Sequence, residues 1–508
     1  MVANPATASS RITIVGGGPC GMTSALLLAR AGHKVTLLEG GAELGGLWAT
    51  TMSDGNYQCE NSCKVYQENY HTTPPLFAMI GVDWKDHFYT RHDLQSEWLS
   101  PFLADSSAKD IAKIAWAFAV FMSGARDYKD LSVEDWLNKN RVSESCQSWL
   151  RATALGGITG TLKMTTWEMM HRFSGNLMAM SVQEEDALYW NRQPPNANSG
   201  FIPIWERSLK AMDIEIHVNA RVKGVSKNAD ALCVALTDDR NFTTDNVFLA
   251  LPPPALSKVL DGSDDDIAEG FGHSRASLKT VLTESKYEHL GIAWFFDTPI
   301  QNDLPLGGHN VREGWYPILV QHSQYEPYLK DAITTVVGSV SLDTDFVHPI
   351  HKTMASEHSP DELAQILWED EQRKDPSLPN PIRFEVYGCS AASQIVQHGA
   401  LPVKSEGAPV FIATNLNGLA PYFTSSLETA IQAGNATACV FDPSVERLPT
   451  APEKAPKRRA SLLRRGLRLA LRTVPLFGSK ITIRKAREHR LRPIAGASGN
   501  FPPGPDQS

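Results

Sequence analysis

Three glycines, Gly16, Gly18 and Gly21, follow the β-branched run RITIV at residues 11–15 in the spacing G-x-G-x-x-G, and an acid, Glu39, stands 18 residues after the third. Those residue types in that order suit a dinucleotide. The first glycine permits a tight turn, the second lets backbone approach a pyrophosphate, and the third lets a helix pack closely on a strand. The N-terminus of that helix then points free N–H groups and positive dipole at the phosphates. Glu39 would accept hydrogen bonds from ribose hydroxyls, and a carboxylate there disfavours the 2′-phosphate of NADP. To bring these groups together the chain needs a β-α-β unit: strand 11–15, helix 22–31 and strand 34–38. A right-handed crossover makes the strands parallel in a sheet covered on both faces.

Other reactive residue types carry less. The seven cysteines, Cys20, Cys59, Cys63, Cys146, Cys233, Cys389 and Cys439, are scattered and odd in number, as expected of thiols in a reducing compartment. Cys59 and Cys63 lack the second pair a zinc site needs, and His348 and His351 form a lone H-x-x-H that reads as a satisfied pair of side chains. No metal is expected. The net charge of −8 hides an asymmetry: residues 454–492 hold 14 Lys or Arg against the single acid Glu488. An acidic body with a basic tail points to an electrostatic partner for the tail alone.

At 508 residues, 42% of them hydrophobic, the chain is long enough for two or three domains around large cores. Its longest apolar run, residues 114–122, falls well short of the about 20 residues a membrane span requires. The first residues show no cationic segment leading into an apolar one, so the expected location is cytoplasmic. Residues 93–205 read mainly as helix, with Ser132 and Asp135 opening LSVEDWLNKN as a capping pair. Strands return from residue 214 and end at Pro252, Pro253 and Pro254; LGIAWFF and TTVVGSV belong to a second sheet, and VFIATN with SSLETAIQAGNATACVF makes a strand, loop and helix.

Beyond the glycine turn, EGGAELGGLW at residues 39–48 resembles the extended fingerprint of the flavin amine oxidase superfamily, whose members include monoamine and polyamine oxidases, protoporphyrinogen oxidase and plant-type phytoene desaturases. The similarity runs on through DGNYQCENSCKVYQENYHTTPPLFAMIGV, GFIPIWERSLKA, ARVKGVSK, DNVFLALPPPAL and YFTSSLETAIQAGNATA, covering nearly all of residues 11–443 and closest in feel to the phytoene desaturase-like members. The resemblance implies FAD as cofactor and an α/β fold: a Rossmann-like, glutathione-reductase-type FAD-binding domain interleaved with an α+β substrate and cap domain. It divides the chain into FAD-binding parts at 1–92, 206–279 and 397–443, a helical cap at 93–205 and a mixed-sheet substrate part at 280–396. A linker at 444–459, a basic amphipathic tail at 460–492 and a disordered end at 493–508 complete the expected plan.

Carried over residue by residue, the resemblance gives Gly45 and Gly46 as a second close approach to FAD, with Leu47 where relatives often carry a basic residue. It places Ser62 in the segment passing under the flavin, Val222 against adenine, and Asn415, Ser426 and Leu427 around the closing helix, whose first amides face the flavin O2 edge. Lys64 stands where related desaturases often have histidine; it would stabilise reduced-flavin charge or act as a base, unless it pairs with Glu60 or Glu68 at the surface. Tyr66 and Tyr70 are equally readable as core. GGLW also occurs in NADPH-using monooxygenases, but the second glycine cluster LGGITG at residues 155–160 has no preceding strand.

Departures from the oxidase pattern bear on the substrate. Gly291 falls where amine oxidases place a lysine, and Ser426 where they place an aromatic, leaving Tyr422 and Phe423 to stand in. IAKIAWAFAVFM at 111–122 and the Met-rich 166–180 segment either line an apolar tunnel or pack a core. In residues 460–477, Leu463, Leu467, Ala470, Leu471 and Val474 share one helical face opposite Arg464, Arg465, Arg468 and Arg472, a pattern suited to a lipid headgroup layer. The apolar stripe and the lack of base-stacking aromatics weigh against nucleic acid. The expected protein is an FAD-dependent dehydrogenase of a lipophilic, isoprenoid- or carotenoid-like substrate, held peripherally at a membrane through residues 457–477, with oxygen or a quinone as candidate electron acceptor. An amine or amino-acid oxidase releasing hydrogen peroxide is the first alternative. A non-catalytic lipid carrier, like the Rab GDP-dissociation inhibitors, is the second.

Overall fold

The computed structural model describes residues 9–49, 51–53, 57–59, 64–67, 70–83, 87–91, 102, 106–157, 161–170, 188–191, 200–300, 309–310, 314–321, 334–342, 346–392, 395–419 and 427–450. By contacts the chain divides at residue 453, and the described residues all fall in the first unit. The tail at 457–477 and the expected disordered end lie outside them.

The chain opens as the glycine spacing predicts, with β1 (Arg11–Val15), α1 (Pro19–Arg30) and β2 (Lys34–Leu38). Short strands β3 (Thr51–Ser53), β4 (Tyr57–Cys59) and β5 (Val65–Gln67) follow, then α2 (Thr73–Met79) and β6 (Phe88–Arg91). In the stretch expected as a cap come α3 (Ala108–Ser123), α4 (Val133–Lys139) and α5 (Glu144–Ala152). Ser132 caps α4 as its sequence requires, accepting from the Asp135 amide at 3.0 Å. The stretch read as helical also contains β7 (Leu188–Asn191), and its last helix, α6 (Phe201–Lys210), runs past residue 205. Phe201, Ile202, Trp205 and Leu209 of α6 pack with Met22 and Leu26 of α1, so this helix shares the core of the first sheet.

Next come β8 (Glu215–His217), β9 (Val222–Asn228), β10 (Ala231–Leu236), β11 (Asn241–Thr244) and β12 (Asn246–Leu249), then α7 (Pro253–Asp261), α8 (Asp265–Glu269) and α9 (Arg275–Glu284). The second part holds β13 (Lys286–Phe296), β14 (His309–Asn310), β15 (Ile318–Gln321), β16 (Thr334–Ser341), α10 (Pro360–Lys374) and β17 (Arg383–Ala392), before β18 (Val410–Ile412) and α11 (Leu427–Phe441).

The main sheet runs β18-β12-β1-β2-β8, every pair parallel. A parallel sheet must bury both faces, and alternation along β1 shows how it does so. Ile12 and Ile14 join the core under α1, α6 and α11, whereas Val15 joins the core shared by β9, β10, α7 and α9. The second sheet, β14-β15-β16-β13-β17, is antiparallel where its pairs are formed. A small antiparallel sheet, β5-β7-β6, joins segments far apart in the chain. No described helix is long and apolar enough to cross a membrane.

Candidate functional site

The glycine turn is assembled by backbone. Gly16 sits at φ +108°, where a side chain is strained, and a Cβ there would overlap the Ala250 carbonyl oxygen. Gly21, in the first turn of α1, touches the Gly16 carbonyl so closely that any Cβ would overlap it. These two glycines are packing requirements. Gly18 differs: the nearest atom to an added Cβ would be the Gly46 Cα at 3.8 Å, and a Cβ on Gly46 would come within 3.0 Å of the Gly18 Cα. Two glycines thus face each other across an open cradle. Gly18 is also the N-cap of α1, with no side-chain cap and Pro19 following, so the helix end is left to an anion from outside the chain.

The second loop is tied to the first. The Gly45 amide donates to the Gly17 carbonyl at 2.9 Å, and residues 46–48 form a 3₁₀ turn in which Leu47 is half-buried and Trp48 buried. Glu39 ends β2 and spans the site: one carboxylate oxygen accepts from the Gly17 amide at 2.7 Å, the other from the Gly41 amide at 2.6 Å. The Ala220 amide donates to the Glu39 carbonyl and the Asn219 amide to the Gly41 carbonyl, both at 2.7 Å. Val222, at the start of β9, therefore stands two residues from the turn that Glu39 holds. At the other side, the Cys20 thiol donates to the Ala413 carbonyl at 2.6 Å, which brings the loop carrying Asn415 against the start of α1. Burial pushes that thiol up to about 12, so Cys20 is a packing group rather than a nucleophile.

α11 closes the site. Gly434 lets it approach α1 until a Cβ would overlap the Cys20 carbonyl, and Leu427, its first residue, is buried. Beside Leu427 lies a residue that sequence reasoning missed. The buried Glu428 carboxylate accepts from the amides of His71, Thr72 and Thr73 at 3.0, 2.9 and 2.8 Å, from the Thr73 hydroxyl at 2.7 Å, and from Gln432 at 2.8 Å. It anchors the start of α2 to α11 across more than 350 residues of chain, a pairing no local spacing could reveal.

Lys64 is buried, not at the surface, and its Nζ has no hydrogen-bond partner among the described residues. The Trp48 Nε1 is likewise buried without an acceptor. Leaving a buried donor unmet costs about 1–3 kcal/mol, so two such donors, one on each side of the β3–β4 hairpin, fit a bound polar ligand. Tyr66 is 1% exposed and its ring lies 4.5 Å from that of Phe88, so it is core. Tyr70 is also buried in that core. Gly291 lies inside β13, opposite Ser339 and Tyr387. Tyr422, Phe423, Ser62 and Ser426 lie outside the described residues.

The H-x-x-H pair gains a third member, Asp370 of α10. The His348 Nε2 lies 2.8 Å and the His351 Nε2 2.9 Å from its carboxylate, and Arg373 pairs with the same group. The His348 Nδ1 accepts from the Ile350 and His351 amides at 3.2 and 3.3 Å, which puts the ring proton of the neutral form on Nε2. A ring fixed that way donates to Asp370 and has no lone pair to offer a metal. Of the cap segments, Ile114, Ala117, Met169 and Met170 pack in the cap's own core with Trp136 and Trp149, while Trp116 on α3 stands 70% exposed. Thr153 to Gly157 is a π-helical turn, with no strand entering it, so the second glycine cluster is no nucleotide turn.

Residues 19–265 match the model of the flavin-containing amine oxidoreductase family. A 15-cis-phytoene desaturase of Solanum lycopersicum is 27% identical over 161 residues, 26% of this chain and 28% of that protein. A thiamine thiazole synthase of Solidesulfovibrio magneticus is 34% identical over 128 residues, 24% of this chain and 39% of that one. The chain thus spans well under half the length of these curated relatives. Among solved structures, wild-type putrescine oxidase bound to putrescine superposes with a TM-score of 0.61 at 17% identity, covering 85% of this chain and 99% of its own, a likeness of fold. Residues 19–265 are thus similar to the flavin-containing amine oxidoreductases, and the nucleotide that this likeness implies for the first sheet is FAD.

Proposed function

We propose that this protein is an FAD-dependent oxidoreductase that desaturates or isomerises a lipophilic, isoprenoid- or carotenoid-like substrate at a membrane surface. The observation that carries the redox reading is the Gly18–Gly46 cradle beside the Glu39 turn. When bound, FAD supplies hydride acceptance at N5, and negative charge then collects at its N1–O2 edge. Gly16, Gly18, Gly21, Gly45 and Gly46 would hold it by backbone, Glu39 by its carboxylate, and Val222, Asn415 and Leu427 by contact. Ser62 and Ser426 are proposed alongside them from the resemblance. With Leu47 offering no charge, the uncapped start of α1 would carry the diphosphate. Lys64 brings a buried amine with no acceptor of its own among the described residues, suited to stabilise an anionic edge or to take up a proton. Tyr422 is the proposed aromatic wall.

Three observations support the lipophilic substrate. The phytoene desaturase match falls on this chain. Gly291 leaves β13 without the lysine that the resemblance to amine oxidases leads one to expect there. Trp116 stands exposed on α3 beside Ala112 and Ala115, an aromatic of the kind found at membrane–water interfaces, and residues 457–477 add a basic stripe in the sequence. The likeness to putrescine oxidase favours an amine oxidase as the second reading. The test is anaerobic bleaching of the purified yellow protein: a carotenoid or isoprenoid substrate should reduce the flavin, and amines should not. Bleaching by amines with hydrogen peroxide formed on re-aeration reverses the choice.

A further inference from the structure

One buried face of the second sheet carries polar residues for which the proposed redox chemistry gives no reason. β13 lies between β16 and β17, and its side chains alternate. Leu290, Ile292, Trp294 and Phe296 share a core with Leu363, Ala364, Leu367 and Trp368 of α10. Tyr287, His289 and Gly291 are therefore turned to the opposite face. Register sets Ser341 across from His289 and Ser339 across from Gly291, so both serines share that face. The His289 ring stacks on Tyr287 at 5.5 Å. Ser339 is 2% and Ser341 1% exposed, and the Ser341 Oγ has no hydrogen-bond partner among the described residues.

The surroundings of this strand follow from packing. β13 is flanked on both edges and covered by α10 on one side, yet it and β17 both touch β4. β4 belongs to the hairpin that carries the chain from Gly46 to Lys64, and the Tyr287–His289 end of β13 follows directly on α9 of the nucleotide-binding core. The strand that bears the polar spot is thus in contact with the hairpin leading from Gly46 to Lys64. A hydroxyl buried there unmet costs about 1–3 kcal/mol, a cost that a ligand oxygen would remove.

We infer that His289, Ser339 and Ser341 form a recognition site for a hydroxyl or carbonyl oxygen on an otherwise apolar substrate. The inference rests on the proposed FAD-dependent reading and narrows its substrate to an oxygenated lipophile rather than a hydrocarbon. The Ser341 hydroxyl can donate to a carbonyl or accept from an alcohol, and Gly291 stands across from Ser339 in the register. Sites built to hydrogen-bond a substrate oxygen discriminate strongly against the analogue lacking it.

The test titrates the full-length holoprotein with farnesol and with farnesene, reading the flavin absorption band. Farnesol should bind at least about 10-fold tighter, the worth of one hydrogen bond. Ser341→Ala should erase that preference by weakening farnesol and leaving farnesene unchanged, while Ser341→Thr, which keeps the hydroxyl, should retain it. Equal affinity for the two probes, failure to bind either, or a preference that survives Ser341→Ala overturns the site. A colourless protein that refuses FAD would instead sink the redox reading on which the site rests.

Discussion

The parallel sheet and the antiparallel sheet of this protein differ in which buried polar groups they leave unmet, indole and amine donors beside the first and hydroxyls on the second. Around the glycine turn the carboxylates are answered from within, Glu39 by two amides and Glu428 by five donors, while the Trp48 and Trp205 indole N–H groups and the Lys64 amine nearby meet no described residue. On the buried face of β16, Ser341 and Thr335 have hydroxyls that no described residue meets. In the first region those donors stand beside the cradle proposed for FAD. The second tolerates unmet groups, as a surface that awaits substrate does.

Substitutions that separate packing from binding test that contrast most severely. Gly18→Val should leave the protein folded, because only the Gly46 Cα lies within 4 Å of the new Cβ, yet lower FAD affinity by at least about 100-fold. Gly21→Ala should instead lower the melting temperature, by the several kcal/mol that overlap with backbone imposes. If Gly18→Val stays yellow, the cradle is not the diphosphate site. Glu428→Ala should cost about 3 kcal/mol or more, since it strips the partner from the two buried amides of Thr72 and Thr73 and the part-buried amide of His71 at once; denaturant unfolding measures it.

A smaller effect concerns the cap. Burial alone would raise the Asp110 carboxyl, but hydrogen bonds from Ser107, Ser143 and Lys113 outweigh it and hold the group at about 2, below its ordinary 3.8. A depressed carboxyl stabilises the folded state above its unfolded value, and that contribution fades as pH falls toward 2. The stability gap between the protein and Asp110→Asn, measured by urea titration, should be full at neutral pH and close on acidification. Smallest and opposite in sign, Thr335→Val removes an unmet hydroxyl and should be neutral or stabilising by about 1 kcal/mol. A clear loss there would show that this hydroxyl is met in the folded protein.

The same division decides what could be read from sequence. The β-α-β unit was legible because Gly16, Gly21 and Glu39 answer local needs, a turn, a close packing and a strand end, that fix residue type at fixed spacing. Ser132 and Asp135 announced α4 for the same reason. Glu428 was not legible, since its partners at residues 71–73 become neighbours only when α11 meets α2. Nor was the β5-β7-β6 sheet, which pairs β7 with strands about 100 positions or more before it, each of three or four residues and too short for any alternation to show. His348 and His351 gave a motif, but Asp370 and the amides on Nδ1, which decide what the motif does, come from the fold. Trp116, read as part of an apolar stripe, proved to face outward.

The central claim is that the Gly18–Gly46 cradle, with Glu39 beside it, holds FAD. Its most direct measurement is the visible absorption spectrum of the purified protein before and after incubation with FAD, with Gly18→Val in parallel. Flavin absorbance corresponding to one FAD per chain, lost in a Gly18→Val protein that remains folded, is the result expected. A wild-type protein that is colourless and stays so in excess FAD would contradict it.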